Sequence, residues 1–107
     1  MQVFKFGGAS VKDASGIKNL AEIVKDYPSN NLLIVVSAMG KITNKLEELT
    51  WAYVKGDETV HAIFDEVKTF HFDVISSLFE DHKNPIFDDV ANTFVEIEWL
   101  LEDEASD

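Results

Sequence analysis

The stretch Val3-Phe4-Lys5-Phe6-Gly7-Gly8-Ala9-Ser10-Val11 decides the fold, because it joins a short apolar segment to a glycine pair and then to a helix-forming sequence. Val3, Phe4 and Phe6 favour a β-strand, and the absence of turn residues among them predicts a strand covered on both faces, as in parallel sheets. The glycine pair lets the backbone adopt dihedral angles closed to other residues and lets a ligand approach the main chain. The sequence therefore predicts a strand that ends at an accessible turn.

The residues around the glycine pair suit a phosphate group. Ser10 adds a hydroxyl, Lys5 adds a positive charge at the end of the strand, and the amides of the turn can donate hydrogen bonds. A helix that begins after this turn would direct its positive end at the same place. A tight strand-to-helix turn without any ligand explains the spacing equally well, since short glycine motifs occur in many α/β proteins.

Length and composition bound the class of protein. The chain has 107 residues, 46% of them hydrophobic, with eight Phe and two Trp, which supports one small core and excludes overall disorder. There is no cysteine, which excludes a disulfide framework and a thiolate metal site and suits a reducing cytosol. No apolar run approaches the roughly 20 residues that span a bilayer, and no signal-peptide pattern follows Met1. We therefore expect a cytoplasmic chain.

The charge is distributed unevenly along the chain. Residues 1–56 carry seven Lys and five acidic residues, whereas residues 57–107 carry two Lys and fifteen acidic residues, and the net charge is −11. The acidic second half would repel polyanions, so neither nucleic acid nor an anionic membrane is an expected partner. All nine basic residues are Lys, so a guanidinium for gripping a phosphoryl group or a carboxylate would have to come from elsewhere.

A helix and a second strand follow the glycine turn. The apolar residues at helical spacing are Ile17, Leu20, Ala21, Val24 and Tyr27. Asp13 or Ser15 is the expected N-cap, Pro28 ends the helix, and the apolar run at residues 32–36 predicts a second buried strand. Strand, helix and strand with short links predict a right-handed βαβ unit. The carboxyl ends of its two strands then lie at one sheet edge, where α/β proteins bind ligands.

The loop after the second strand, residues 37–44, brings two hydroxyl groups and a lysine to that edge. Serine and threonine in such a loop commonly form turns or cap helices, and for Thr43 and Asn44 this interpretation is strong. Ser37 directly follows the strand. Two loops with hydroxyl groups at one sheet edge favour a binding site over two unrelated turns.

Two motifs in this region carry a resemblance to a known family. The segment KFGGAS at residues 5–10 and the segment VVSAMGKITN at residues 35–44 occur in the order and at the separation that the βαβ unit requires. Together they resemble the start of the aspartokinases, within the amino-acid kinase family. The resemblance covers the first 45 residues well, and the acidic remainder fits only in its general pattern.

The resemblance implies roles for individual residues. Lys5 is similar to the lysine that stabilises charge on the transferring phosphoryl group, and it forms the ATP-phosphate segment together with Phe6, Gly7 and Gly8. The other implied contacts are Ser10 near the phosphates and Ser37 and Thr43 to the aspartate substrate. Two positions depart from the pattern. Ala9 stands where many relatives have Thr, and Lys41 replaces a frequent small residue.

The resemblance also implies a reaction. ATP would transfer its γ-phosphoryl group to the side-chain carboxylate of L-aspartate, giving 4-phospho-L-aspartate, with Mg²⁺ bridging phosphate oxygens. This is the first step of the aspartate-family pathway to lysine, threonine and methionine. Such a transfer depends on positioning and charge neutralisation, for which a lysine, backbone amides and a metal are suitable.

The second half of the chain predicts three amphipathic helices. Gly56 ends the first, Asp57 caps the second, and Asn84-Pro85 starts the third. The apolar stripes run through Ile42, Leu46, Leu49 and Tyr53, then Val60, Ile63, Phe64, Val67, Phe70, Val74, Ile75 and Leu78, then Phe87, Val90, Ala91, Phe94, Ile97 and Leu101. We therefore expect an α/β fold, with a βαβ unit at residues 1–40 and an antiparallel helical subdomain at residues 41–107.

Acidic and histidine side chains on these helices do not form a metal motif. Asp57, His61 and Asp65 recur four residues apart, but HExxH or an equivalent spacing is absent, so a solvated helix face explains them better. The acidic tail at residues 102–107 is expected to face solvent and fray. Trp51 and Trp99 fall off the apolar stripes and mark either a second contact surface or exposed flanks.

The resemblance implies that this chain is an N-terminal piece of a longer catalytic domain. The substrate glutamate, the substrate-binding arginine, the segment for the nucleotide base and the regulatory domains of the family have no counterpart in the 107 residues. We expect the isolated chain to be inactive and to form a homo-oligomer through its open sheet edge. Two alternatives stay open: a non-catalytic interaction domain that works through its helices, and a related kinase with another acceptor.

Overall fold

The computed structural model describes residues 1–103 and contains two strands and four α-helices in that range. In chain order they are β1 (Gln2–Phe6), α1 (Ala14–Val24), β2 (Leu32–Val36), α2 (Ile42–Lys55), α3 (Thr59–Leu78) and α4 (Pro85–Glu102). The chain divides into two compact units, one formed by Met1–Thr43, here called the sheet unit, and one that starts at Asn44, here called the helical unit. Of the predicted acidic tail, residues 104–107 lie outside the described residues.

The two strands pair in parallel, as the βαβ prediction requires. Val3 lies opposite Leu33 and Lys5 lies opposite Val35. Helix α1 connects the strands, so the carboxyl ends of β1 and β2 are neighbours. The predicted α/β fold, a small parallel sheet followed by helices, is confirmed. Over residues 1–103, no helix combines the length and the apolar character that crossing a membrane requires.

The prediction that both strands are buried is wrong. On the face that carries Lys5, Val3 is 58% exposed, Leu33 49% and Val35 45%. The opposite face is covered only in part. Phe4 is half-buried and its ring meets the ring of Tyr27 edge-on, with 4.8 Å between the centroids, but Val36 on this face is 52% exposed. A two-stranded sheet with one connecting helix has too few elements to cover two faces, so one apolar face stays open to solvent.

Helix α1 is shorter than the apolar spacing predicts. Asp13 is its N-cap, and the carboxylate accepts a hydrogen bond of 2.9 Å from the amide of Gly16. Of the two expected caps, the structure therefore has Asp13 and not Ser15. The helix ends at Val24, and Tyr27 lies in the turn beyond it. Tyr27 packs against β1 from this turn, which explains why it follows the apolar spacing without belonging to the helix.

The helical unit has a core that its own helices supply. Helix α3 contributes most of it. The ring of Phe94 on α4 packs against Phe64 at 5.9 Å and against Phe72 at 6.2 Å between centroids. The two helices run antiparallel, because Phe64 near the start of α3 lies in the same cavity wall as Leu101 near the end of α4. The buried hydrophobic residues of this unit are Leu49, Ala52, Val60, Phe64, Val67, Val74, Ile75 and Phe94.

The ends of α2, α3 and α4 follow the predicted signals except at the start of α2. Gly56 adopts a left-handed φ of 65° directly after α2, and Asp57 accepts a hydrogen bond of 2.9 Å from the amide of Thr59. Asn84 caps α4 by accepting a hydrogen bond from the amide of Ile86, with Pro85 in the first turn. The exception is α2, which begins at Ile42, so Thr43 and Asn44 lie inside the helix and are not its caps.

Candidate functional site

The ends of the two strands form the candidate site. Phe6 and Val36 are the last paired residues of β1 and β2, and the amide of Ser37 donates a hydrogen bond of 3.0 Å to the carbonyl of Phe6. The Ser37 hydroxyl oxygen lies 3.3 Å from the position that a Cβ on Gly7 would occupy. The glycine turn and the loop after β2 are therefore in direct contact, although residues 8–36 separate them in the sequence.

Lys5 lies at the carboxyl end of β1 with its side chain in solvent. Alternation along the strand places it on the open face with Val3, Leu33 and Val35, opposite to Phe4 and Phe6. Among residues 1–103, no carboxylate forms an ion pair with Lys5. Its ammonium group is therefore available to a ligand at the end of the sheet.

A 3₁₀ turn at Gly8–Val11, and not α1, follows the glycine pair. Gly8 has a φ of 56°, a conformation that other residues rarely adopt, and the amide of Ser10 donates a hydrogen bond of 3.1 Å to the carbonyl of Gly7. Within the described part of the chain, no side chain caps this turn. The first amides of such a turn lack partners inside it, so those of Gly8 and Ala9 can donate to an anion.

This arrangement corrects the expected role of the helix dipole. Helix α1 begins only at Ala14, and the carboxylate of Asp13 already accepts a hydrogen bond at its first turn. The positive end of α1 therefore faces a carboxylate of its own chain. Any phosphate at the glycine turn would depend on the amides of the 3₁₀ turn and on Lys5.

Gly16 is a residue of the site region that the sequence analysis missed. A Cβ on Gly16 would lie 2.6 Å from the carbonyl oxygen of Ser10, which is closer than a carbon and an oxygen approach without a bond between them. The absence of a side chain at Gly16 thus allows the first turn of α1 to pack against the 3₁₀ turn. Its position in the first turn of the helix, three residues after the Asp13 cap, was the available signal.

The two predicted substrate residues take different places. Ser37 contacts the glycine turn and its hydroxyl donates a hydrogen bond of 3.2 Å to the carbonyl of Ala38. Thr43 is exposed in the first turn of α2, and it takes no part in the contacts that join the two loops. The structure therefore brings Lys5, Phe6, Gly7 and Ser37 together, with Gly8 and Ser10 in the adjoining turn.

The polar clusters of the helical unit are structural. The ammonium group of Lys45 lies 2.6 Å from a carboxylate oxygen of Glu66 and 3.4 Å from one of Glu48, and hydrogen bonds to these carboxylates raise the pKa of Lys45. The Nδ1 atom of His71 donates to the carbonyl of Val67 at 2.7 Å. Across residues 1–103, no three His, Asp or Glu side chains lie together in a way that could hold a metal ion.

The site can accommodate a phosphate chain. An exposed cation, two amides without a partner inside the 3₁₀ turn and a backbone without side chains at Gly7 and Gly8 are groups that bind a polyphosphate.

Comparison with known proteins places the chain in a family. The sequence profile described as the amino acid kinase family matches residues 1–94. Aspartokinase 2, chloroplastic, of Arabidopsis thaliana is 50% identical over 44 residues, which are 41% of this chain and 8% of that protein. The bifunctional aspartokinase/homoserine dehydrogenase 1, chloroplastic, of Zea mays is 37% identical over 76 residues, which are 71% of this chain and 8% of that protein.

A bacterial relative extends the comparison. The bifunctional aspartokinase/homoserine dehydrogenase 2 of Escherichia coli is 30% identical over 79 residues, which are 72% of this chain and 10% of that protein. The chain thus spans about a tenth or less of the length of these relatives. The resemblance to aspartokinases that the two motifs carry is confirmed. Because the family profile covers well over half of its residues, this chain belongs to the amino acid kinase family.

Proposed function

We propose that this chain provides the phosphate-binding part of an aspartate kinase. In the proposed reaction the γ-phosphoryl group of ATP passes to the side-chain carboxylate of L-aspartate. The bond between the γ-phosphorus and its bridging oxygen breaks, a new phosphorus–oxygen bond forms, and ADP and 4-phospho-L-aspartate are the products. The observation that carries this proposal is the contact between Gly7 and Ser37 beside Lys5 at one end of the parallel sheet.

The sheet unit supplies the groups that such a transfer needs for its phosphates. The ammonium group of Lys5 offsets negative charge on the transferring phosphoryl group, and the amides of Gly8 and Ala9 orient the phosphate chain. Ser10 adds a hydroxyl in the same turn. Mg²⁺ would supply further charge neutralisation when bound with the nucleotide, held through the phosphate oxygens.

The loop after β2 supplies the proposed contacts to aspartate. Ser37 lies against the glycine turn, so a substrate carboxylate that accepts a hydrogen bond from its hydroxyl would be next to the phosphates. A second contact to aspartate is proposed for Thr43, which lies in the first turn of α2 apart from the contact between the two loops, and Lys41 adds positive charge in the loop before it. The names of the relatives, which are aspartokinases, support aspartate as the acceptor over other carboxylates.

We further propose that the isolated chain binds MgATP weakly and does not turn over. The arginine that grips the acceptor is lacking, since all nine basic residues are Lys. The location is proposed to be cytoplasmic, and homo-oligomers are proposed because β1 and β2 each leave one strand edge unpaired. A coupled assay for ADP release with aspartate and MgATP is expected to show no turnover, and robust turnover would contradict the proposed inactivity.

A titration followed by amide chemical shifts tests the site itself. MgATP is expected to shift the amide signals of Gly7, Gly8, Ala9 and Ser37 in a ¹⁵N-labelled chain. The variant Lys5→Ala should lose most of this response, whereas Lys18→Ala, an exposed lysine on α1, should retain it. Shifts confined to residues of the helical unit would mean that the glycine turn does not bind nucleotide, and the chain would then work as an interaction domain.

A further inference from the structure

The helical unit carries an apolar groove that the kinase site does not use. The groove lies between α2 and α4 and has a volume of about 540 Å³. The residues that line it are Leu49, Thr50, Tyr53, Ile97, Leu100, Leu101 and Asp103. Leu100 is 66% exposed although it lines the groove. A leucine this exposed beside other apolar side chains indicates a surface that another element can cover.

The spacing of residues along α4 indicates the shape of that element. Asp89 and Glu96 lie seven residues apart on α4, so they share one side of the helix, and both are exposed. Asp103 directly follows the helix and is also exposed. Ile97 directly follows Glu96, and Leu100 lies three residues further along α4. This is the spacing of the two apolar heptad positions that form the seam of a coiled coil. An apolar seam with acidic residues beside it matches a partner helix that has its own apolar stripe.

The charge of the groove decides between possible partner helices. Asp103 lines it, Glu96 precedes the groove residue Ile97, and the helical unit between residues 44 and 103 holds fifteen acidic residues against four Lys. A second copy of α4 in the groove would bring carboxylates against carboxylates, which is unfavourable. A helix with Lys or Arg beside its apolar stripe would instead form ion pairs with this border.

From the apolar groove and its acidic border we infer that the α2–α4 groove docks a cationic amphipathic α-helix. The inference does not depend on the proposed kinase activity, because none of the groove residues belongs to the sheet end. The apolar stripe of the partner would cover Leu100, Ile97 and Tyr53, and its basic residues would lie against Glu96 and Asp103. Burial of Leu100 supplies affinity, and the charges fix the orientation of the helix.

A binding experiment with two designed peptides tests the inference on the intact chain. The first is a fluorescein-labelled helix of about 21 residues, or three heptads, with Leu at the seam and Lys at the flanking positions. The second has Glu in place of each Lys. The first peptide is expected to bind with a micromolar dissociation constant in fluorescence anisotropy, and the second is expected not to bind. Equal binding of both peptides, or no binding of the first at about 100 μM, would overturn the inference.

Matched variants locate the binding to the groove. Leu100→Ser should raise the dissociation constant of the lysine peptide about tenfold or more. Trp99→Ser is its control, because Trp99 is 63% exposed and adjacent but does not line the groove. Glu96→Lys should raise the dissociation constant of the lysine peptide and allow the glutamate peptide to bind. Glu98→Lys is its control, because Glu98 lines a separate cavity with residues of α3.

Diffuse charge attraction and self-association would each give a different result in these variants. If Glu96→Lys and Glu98→Lys lower the affinity for the lysine peptide equally, the peptide is attracted to the whole acidic surface. That result would contradict docking in the groove. A dimer in light scattering that Leu100→Ser dissociates would make a second copy the occupant, which also contradicts the inference. Circular dichroism of all four variants checks folding, and the two charge variants, both at exposed positions, decide the result if a serine variant unfolds.

Discussion

The sheet unit and the helical unit bury their apolar residues to very different extents. Among the described residues, eight buried hydrophobic side chains belong to the helical unit and two, Val11 and Ile42, belong to the sheet unit. Yet β2 consists of five apolar residues in a row. The helices of the second unit cover one another, whereas the two strands have one helix between them and leave a face open.

The difference indicates that the residues that stabilise the fold and the residues of the candidate site belong to different units. The helical unit holds the aromatic core around Phe94, while the sheet unit holds the exposed cation and the glycine turn. Changes in the aromatic core should therefore lower stability and leave the glycine turn intact. Changes at the end of the sheet should alter ligand binding with little effect on unfolding. Four experiments test this separation, from the largest expected effect to the smallest.

The largest effect is expected from Phe94→Ala. The ring of Phe94 is buried and meets the rings of Phe64, Phe72 and His71, so its removal leaves a cavity among them. The free energy of unfolding should fall by about 3–5 kcal/mol, measured by urea denaturation followed by circular dichroism at a helix band. Val95→Ala, at the exposed neighbouring position, should change it by less than about 1 kcal/mol. Equal effects of the two variants would mean that the helices lack a specific core.

The second experiment addresses the sheet unit through Lys5→Ala. To test Lys5 in a complete kinase, the sheet unit, Met1–Thr43, replaces the corresponding segment of the Arabidopsis aspartokinase 2. In this chimera Lys5→Ala should lower turnover by about 10²–10³-fold, because one preorganised positive group is lost. Lys12→Ala, which removes an exposed lysine after the 3₁₀ turn, is the control and should leave turnover within a few-fold. Near-normal activity of Lys5→Ala would remove Lys5 from the mechanism.

The third experiment tests whether Gly16 supports the glycine turn. A Cβ at this position must push away the carbonyl of Ser10, so Gly16→Ala should destabilise the sheet unit by about 1–3 kcal/mol. Hydrogen exchange of the α1 amides measures this effect within the unit. Ser15→Ala, at the exposed preceding position of the same helix, should change the exchange little. Unchanged protection in Gly16→Ala would show that the 3₁₀ turn is free to move.

The smallest effect is expected at the start of α3. A hydrogen bond from the amide of Thr59 holds the pKa of the Asp57 carboxyl below its ordinary value of 3.8. A carboxyl whose pKa is lower in the folded state stabilises the fold above the ordinary value and loses this contribution as the pH falls through the folded pKa. Asp57→Asn should remove this acid sensitivity and keep the cap, whereas Asp57→Ala should remove both. The measurement is the free energy of unfolding as a function of pH. The same decrease at acidic pH in the wild type and in Asp57→Asn would contradict a stabilising role of the Asp57 carboxylate.

The topology and the helix ends were predictable because they depend on local residues. Two β-branched or aromatic runs on either side of a helix specify a parallel pair, and Gly56, Asp57 and Asn84 mark helix ends by their own backbone chemistry. The contact of Gly7 with Ser37 follows from the topology alone. Local signals therefore sufficed for the position of the candidate site.

Burial and close approach were not predictable in the same way. The apolar residues of β2 fit a buried strand, but burial depends on how many elements are present to cover it. Asp13 and Ser15 are both good caps, and only the backbone conformation selects Asp13. Gly16 looks like an ordinary helix residue until the carbonyl of Ser10 is placed beside it. These features depend on contacts that the sequence does not display.

The place of Lys5 on the open face of the sheet has a consequence for the synthesis of the protein. The strands are complete once residue 36 has been made, and Val3, Leu33 and Val35 then present a surface that can associate with other unfinished chains. One positive charge amid these three side chains discourages such aggregation, as gatekeeper residues do. A natural variant without Lys5 would therefore lose solubility during expression in addition to the proposed contact to phosphate.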